Sequence, residues 1–556
     1  MGATRGYTHL MQRLVHALDA VKDTRSRKAK VKHLSTLLKT LSREELPFTA
    51  RLILGRLLPL SDTRTLGVGW ALLSAAAADA SGHTIATIGL KSREVGDFGD
   101  ALQVLLPGGS RHLPLLSIPP LIERIASTPD RNVKQEVLTE LLTRAAPWEA
   151  RYLVKALLGE LRIGVQLGIF EEAVAAAFDV ELETLRKASA LTPDPGDLAL
   201  LALEKRLDTA SITPGHVVSF MLASPTETVK EPIDLAKTIF EDKLDGIRAQ
   251  AHVFSGQVRL FARGLDDVTV QFPEVAMVLA RMPRPVVLDG ELIAVKPDGQ
   301  ARPFQALQAR LNRANPGKAV IAKTPVAFVA YDCLFDGESL LQRPWSERRA
   351  RLEALPVRAN AIAKLDPGQP LDAQLEHAFD AARKRGNEGL MLKHVESTYE
   401  AGRRGSAWRK VKKALATLDV VITRAERGHG KRAGVLSDYT FAVWNGERLV
   451  EIGRAYSGLT DVEIDSLTAR LESLTVEQSG PYHLVQPRIV LEVAFDGIQS
   501  STRHDSGFAL RFPRIARLRD DKQPRDADTL ATVKALYDAQ LETGHREQEP
   551  QLGLFD

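Results

Sequence analysis

Phe240-Glu241-Asp242-Lys243-Leu244-Asp245-Gly246-Ile247-Arg248 sets one lysine among acidic and small residues. Lys243 is the candidate covalent nucleophile. A lysine amine attacks only when neutral, so its reference pKa of about 10.4 must be offset by desolvation or by nearby positive charge, a metal ion included. Asp245-Gly246 supplies a tight turn and a carboxylate. Taken alone, Lys-x-Asp-Gly fits an ordinary surface turn equally well. Its meaning comes from the residues around it.

Outward from this stretch, residues 212–416 alternate short β-like runs with helices. Val286 to Ala294 reads as strand, bend and strand, and Val326 to Asp332 as a buried strand. Helical pieces fall near Pro303 to Arg313, Ser346 to Ala354 and Ala373 to Arg385. This is an α/β or α+β core. Before it, residues 1–211 carry apolar residues at helical spacing, as in Leu10, Leu14, Leu18 and Leu34, Leu37, Leu38, Leu41, and read as an all-α domain. The basic run Arg25 to Lys32 reads as a solvated helix face, with phosphate contact as the lesser alternative. Two glycine-bearing stretches, Val95-Gly96-Asp97-Phe98-Gly99 and Leu158 to Val165, fit helix caps by composition, or places where a backbone approaches phosphate. After residue 417 the pattern turns mostly β: Asp419 to Arg424, Tyr439 to Trp444, Leu449 to Arg454 and Ile489 to Asp496, with a helix from Asp461 to Leu474, suit a small β-barrel of OB-fold type to about residue 530. Gly428 to Gly434 lacks the Gly-Lys-Ser/Thr ending of a phosphate loop and reads as a barrel turn. Residues 531–556 are a last helix and a polar tail.

Composition bounds the function. The chain has 556 residues, enough for about three or four domains, and 44% hydrophobic content. Cys333, the single cysteine, excludes an internal disulfide and a four-cysteine zinc site and points to a reducing compartment. With no signal-peptide core and no run of about 18 apolar residues, a cytoplasmic protein with no membrane partner is expected. Net charge is +4, so any nucleic-acid binding must come from where Lys and Arg cluster.

Downstream of Lys243 come Arg263, Glu291 in Asp-Gly-Glu, Tyr331, Glu388-Gly-x-x-x-Lys393 and Trp408-Arg409-Lys410-Val411-Lys412. Each has a bland reading: exposed acids, a core aromatic, a basic edge strand. Together they supply a lysine nucleophile, two hard oxygen ligands suited to Mg²⁺, an aromatic to stack on a base, and cations for a triphosphate. That is the inventory of nucleotidyl transfer.

With Arg519-Asp520-Asp521-Lys522 added, the ordered set resembles the covalent nucleotidyltransferase superfamily and, within it, ATP-dependent DNA ligases. The two glycine stretches resemble the helical DNA-binding domain of cellular and archaeal ligases, and Arg511-Phe512-Pro513-Arg514 is ligase-like. The resemblance covers residues 40 to 525 and implies three domains: an all-α DNA-binding domain, an α+β adenylation domain and a β-barrel OB-fold. It implies that Lys243 attacks ATP, that Glu241 and Tyr331 hold the adenine, and that Arg248 and Arg263 bind ribose and phosphate oxygens or the nick 5′-phosphate. Phe is the more usual family residue at the position of Tyr331. It further implies that Glu291 contacts the ribose or the metal and Glu388 the metal, that Arg404, Lys410 and Lys412 bind phosphates, and that Arg519 and Lys522 orient pyrophosphate in the first step. The implied partner is nicked double-stranded DNA, met by a monomer at the bacterial nucleoid in DNA repair or replication.

Gln551-Leu552-Gly553-Leu554-Phe555-Asp556 looks like the peptide by which bacterial replication and repair enzymes bind the sliding clamp, with Gln551, Leu552, Leu554 and Phe555 as anchors. Three rivals share part of the pattern: an RNA ligase, an mRNA-capping guanylyltransferase and a non-catalytic DNA-binding scaffold. The helical first domain resembles neither of the first two, and the scaffold would require lost motif residues that are all present. An NAD⁺ donor does not fit, because the family that uses it carries a zinc module.

Overall fold

Apolar residues repeating every three or four positions bury only if helices pack face to face. A computed structural model describes residues 4–544 except 63, 109–111, 160, 303, 312–314, 412–415, 429–431 and 433. Its first part is twelve α-helices, from Thr4–Asp23 to Pro195–Leu203, around one apolar core running from Met11 to Leu207. Both glycine stretches act here in packing and capping. Gly96, at φ +74°, ends the helix Ile85–Val95, and the Asp97 side chain caps Phe98–Leu105 by accepting from the Asp100 amide. Gly99 lies under the neighbouring helix, where a Cβ would come within 2.6 Å of the Arg151 carbonyl. In the basic run Arg25, Arg27, Lys28 and Lys32 are exposed as expected. Lys30 differs: it is buried, and its ammonium donates to the carbonyls of Ile163 and Gly164 at 2.7 and 3.1 Å, tying the run to the second glycine stretch.

The middle of the chain builds two sheets. One has five strands in the order β1-β9-β8-β2-β7: β1 Leu222–Pro225, β2 Thr238–Lys243, β7 Ile362–Lys364, β8 Gly389–His394 and β9 Arg404–Val411. The other has four in the order β4-β3-β5-β6: β3 Ile247–Phe254, β4 Gln257–Ala262, β5 Val286–Ala294 and β6 Val326–Asp336. The chain passes from the first sheet to the second through Leu244-Asp245-Gly246.

Two expectations are corrected here. Val286 to Ala294 is one continuous strand with no bend. Gly290 serves contact, since a Cβ there would meet the Phe328 ring at 2.5 Å and the Val329 carbonyl at 2.6 Å. The segment around Trp408 is no edge strand, because β9 pairs with β1 on one side and β8 on the other. The helices near the expected places are Phe304–Leu311, Trp345–Glu353 and Leu371–Lys384. Arg313, the expected end of the first of these, lies outside the described residues.

The C-terminal region is sheet-rich. β10 Ala416–Arg427, β11 Leu436–Asn445, β12 Arg448–Ala455, β13 Thr475–Ser479, β14 Tyr482–Val485, β15 Val490–Phe495 and β18 Arg514–Leu518 form one seven-stranded sheet, and β16 Gly497–Ser500 pairs with β17 Phe508–Arg511. The helix Asp461–Ser473 starts with a capping box between Thr460 and Glu463. The turn at 428–434 lies largely outside the described residues.

Candidate active site

Side chains two apart on a strand share a face, as do directly paired residues on neighbouring strands. That rule assembles the site. In β2, Glu241 and Lys243 share a face, and Glu241 pairs with Met391 and Ile239 with Lys393 on β8. Lys393 in turn pairs with Trp408 and Met391 with Lys410 on β9. One face of the five-stranded sheet therefore carries Glu241, Lys243, Met391, Lys393, Trp408 and Lys410. Arg248 pairs with Glu291 across β3 and β5. On β6, Asp332 pairs with Asp289 and Ala330 with Gly290, leaving Tyr331 as the extra residue of a β-bulge. Such an insertion re-aims a side chain. Between the two sheets lies a cavity of about 490 Å³ lined by Glu241, Lys243, Arg248, Arg263, Glu291, Phe304, Tyr331, Glu388, Met391, Lys393, Arg404, Trp408 and Lys410, among others.

The contacts inside it are specific. Lys243 Nζ lies 2.5 Å from Glu388 Oε2. Glu241 is buried and pairs through Oε1 with Lys393 Nζ at 2.6 Å. Arg248 is held by the fully buried Asp289 at 2.6 Å and by the Met221 carbonyl. Tyr399 donates its hydroxyl to the same Asp289 at 2.7 Å. Burial pushes the Glu291 carboxyl up to about 8; Lys243 and Arg248 oppose this, while Glu388 and Asp289 add to it. Burial also raises Asp245, helped by the charge of Glu388 and opposed by Arg511 of β17, whose guanidinium stands 4.0 Å away. Among the described residues no group of three or more His, Cys, Asp or Glu could hold a metal by itself. Two facing carboxylates, Glu291 and Glu388, beside a cavity of nucleotide size fit Mg²⁺, which keeps water and substrate phosphate oxygens in much of its shell.

The structure brings Lys243, Glu241, Arg248, Arg263, Glu291, Tyr331, Glu388, Arg404 and Lys410 to this one cavity. It places Arg519 and Lys522 elsewhere, on Asp419 of β10, at 3.0 and 2.5 Å, with Asp521 also on Arg519. Lys412 lies outside the described residues, as do Gln551, Leu552, Leu554 and Phe555. Sequence reasoning missed Asp289, Tyr399 and Met391 as site residues and gave Lys393 no role. Asp289 had a signal, since it sits two residues before Glu291 on the same strand face; Tyr399 had none.

A lysine beside a carboxylate, a buried acid, an aromatic on a bulge and flanking cations define a nucleotidyltransferase site. Family models agree region by region: "DNA ligase N terminus" matches residues 10–175, "ATP dependent DNA ligase domain" residues 220–412, and "ATP dependent DNA ligase C terminal region" residues 432–522. A "Probable DNA ligase" of Koribacter versatilis is 40% identical, over 96% of this chain and 97% of its own. A "DNA ligase" of Methanopyrus kandleri is 35% identical, over 95% and 99%. The solved structure Pmar-Lig_Pre shares the fold at TM-score 0.59 and 16% identity, over 91% of this chain and 99% of that one. The chain belongs to the ATP-dependent DNA ligase family, whose members work through a lysyl-AMP intermediate with ATP as substrate and Mg²⁺ as usual cofactor. Among the described residues no helix is long and apolar enough to cross a membrane.

Proposed function

We propose that the cavity between the two sheets is where this ligase adenylates itself, with Lys243 as nucleophile. The observation that carries the reading is the shared strand face that sets Lys243 beside Glu388 and in line with Glu241, Lys393 and Lys410. Lys243 Nζ, once unprotonated, forms a bond to the ATP α-phosphorus while the bond to the bridging oxygen breaks and pyrophosphate leaves. Glu388 holds the amine in place. Glu241 takes the base and Tyr331 stacks on it; Arg248, fixed by Asp289, and Arg263 hold ribose or phosphate oxygens. Arg404, Lys410 and Lys412 neutralise phosphate charge. Glu291 and Glu388 would hold Mg²⁺, which when bound supplies further neutralisation of the triphosphate. AMP then passes to the 5′-phosphate at a nick in duplex DNA, and the adjacent 3′-hydroxyl displaces it and closes the strand.

The proposed units are a helical DNA-binding domain over 1–211, an adenylation domain over 212–416, an OB-fold over 417–530 and a helix with tail over 531–556. In the C-terminal sheet the long strand β10 pairs with three others, β11, β14 and β15, and a strand shared in this way supports the barrel reading. Arg519 and Lys522 would reach pyrophosphate only after that unit turns, a gating motion between steps. The enzyme would act as a monomer on DNA repair or replication nicks, and the Gln551 to Phe555 peptide would anchor it to a sliding clamp.

The test is incubation with α-phosphate-labelled ATP and Mg²⁺, wild type beside Lys243→Ala, then denaturing electrophoresis and a chase with nicked DNA. Label is expected on wild type, absent from the variant and chased into sealed DNA. Label that will not chase onto DNA would redirect the reading to RNA or capping chemistry.

A further inference from the structure

We propose that Gln250 and His252 are positioning residues for nick sealing: with Arg248 they make rungs along one face of β3 that grip the segment leading out of the helices, and so set where the helices stand relative to the cavity. The inference rests on the reading that the cavity serves a ligase reaction on nicked DNA. The segment runs from Ala210 to Met221, between the last helical turn Leu207–Thr209 and β1, and has no helix or strand of its own. Gly215 and Val218 within it are nonetheless buried, and buried backbone groups must find partners.

β3 supplies those partners. Arg248, Gln250, His252 and Phe254 alternate along the strand and share a face, whereas Ala249, Ala251 and Val253 belong to the apolar core on the other face. The Gly215 amide donates to His252 Nδ1 and the Val218 amide to Gln250 Oε1, both at 3.1 Å. Gln250 Nε2 returns a bond to the Val218 carbonyl at 2.8 Å, and Arg248 donates to the Met221 carbonyl at 2.6 Å. Segment positions spaced by three thus meet strand positions spaced by two, in antiparallel order, over roughly 13 Å of strand. Gly215, at φ +93°, closes the far end, where a Cβ would meet the Phe254 ring at 2.7 Å.

The rungs are joined to one another and to both ends. His252 Nε2 lies 3.2 Å from Gln250 Oε1. Because the Gly215 amide can only donate, Nδ1 is the acceptor and the ring proton sits on Nε2. Burial keeps that ring neutral, pushing its pKa down to about 3, with Arg259 and His216 adding to the fall. On the helix side the Ser219 amide donates to the Ala190 carbonyl at 2.7 Å, and Arg259 of β4 spans the carbonyls of Gly215 and Ser61 at 3.0 and 3.4 Å. On the cavity side Arg248 belongs to the wall, whereas Gln250 and His252 are fully buried and are not among its lining residues. The two act on the reaction through the placement of the helices, which DNA needs and ATP does not.

The experiment takes the full chain with Mg²⁺, as wild type, Gln250→Leu, His252→Leu and His252→Asn, and measures labelling by α-labelled ATP beside kcat and KM for sealing a chemically pre-adenylated nick. Labelling should stay within about twofold of wild type, while kcat/KM for the nick falls roughly 10- to 100-fold in the two leucine variants, chiefly through a higher KM, as the helices lose their preset place. His252→Asn, whose side-chain oxygen can stand in for Nδ1 as acceptor, should recover most of that loss. Chymotrypsin should cut after Phe220, buried in wild type, sooner in the leucine variants. Equal losses in labelling and sealing, or sealing at the wild-type rate, would show the rungs to be merely structural and overturn the proposal. If the leucine variants do not fold, hydrogen exchange of wild type decides: the amides of Gly215 and Val218 should be protected, and exchange at the rate of an open loop overturns it equally. Absence of any label on wild type from ATP would instead bring down the reading of the cavity itself, and this inference with it.

Discussion

Two sets of cations in this molecule are built in opposite ways. Lys243, Lys393 and Lys410 owe their places to strand register in one sheet, and their partners Glu388 and Glu241 belong to the same cavity wall. Arg519 and Lys522 sit in the C-terminal region, paired to carboxylates of that region: Asp419 for both, with Asp521 and Glu492 around Arg519. On the function proposed above, the first set would wait where the nucleotide binds, and the second would have to be carried there by a change of domain position. Rigid sheet charge suits the chemistry common to every step, whereas charge on a movable unit can be applied in one step and withdrawn in the next.

The contrast can be broken or sharpened by measurement. The largest effect is expected from Glu388→Gln, which weakens the hold on Lys243 and removes a proposed metal ligand. Self-adenylation should fall by roughly 10²- to 10³-fold, as when one preorganised charge is lost from a site. A rate near wild type would dissolve the first half of the comparison. A smaller and more selective effect is expected from Arg519→Ala with Lys522→Ala. Their label formation should slow by roughly 10- to 100-fold, while sealing of a chemically pre-adenylated nick stays near the wild-type rate. Equal losses in both assays would mean that the two sets act together.

The smallest effect concerns stability. Glu291, inside the cavity, has its folded-state pKa raised to about 8 from 4.5 by burial. The native state then keeps a proton that the unfolded chain has released, so its stabilising share is whole below about pH 4.5 and is lost as pH rises through about 8. His252, buried farther along the same strand as Arg248, is lowered to about 3 from 6.5 by burial, with Arg259 and His216 adding to the fall. Here the unfolded chain takes up the extra proton, and stability is lost as pH falls from about 6.5 toward 3. Denaturant midpoints across pH should show both limbs, each with a slope of at most about 1.4 kcal/mol per pH unit. Glu291→Gln should flatten the alkaline limb alone. An unchanged alkaline limb would mean that the preassembled cavity carries no such cost in the free protein.

Much of this was legible in the chain because the motifs are local. Lys243 with Asp245, Asp289 with Glu291, and Trp408 with Lys410 each sit within three residues of one another, and strand pleating does the rest. What was not legible depends on register between distant strands. Tyr399 reaches Asp289 across 110 positions, and Glu241 meets Lys393 only because β2 and β8 align Ile239 with Lys393. The bulge at Tyr331 leaves no trace in composition. In the C-terminal region β13 and β14 escaped notice because one is exposed along most of its length and the other is four residues long, which gives little periodicity to read. In the sequence Asp419 marks only the start of a strand, since nothing near it announces the cations it holds.

The passage from β2 to β3 through Leu244-Asp245-Gly246 has a mechanical meaning. Those three residues are the short tie between the two walls of the cleft, and Gly246 has no room to give: a Cβ there would meet the Leu292 carbonyl at 2.4 Å and Glu291 Cγ at 2.7 Å. Opening of the cleft about this tie would be that of a book about its spine, with Lys243 on the last residue of one page. Pages of a book move most at their free edges and least at the binding. A nucleophile placed there would be displaced least by such opening, and the α-phosphorus would be brought to it.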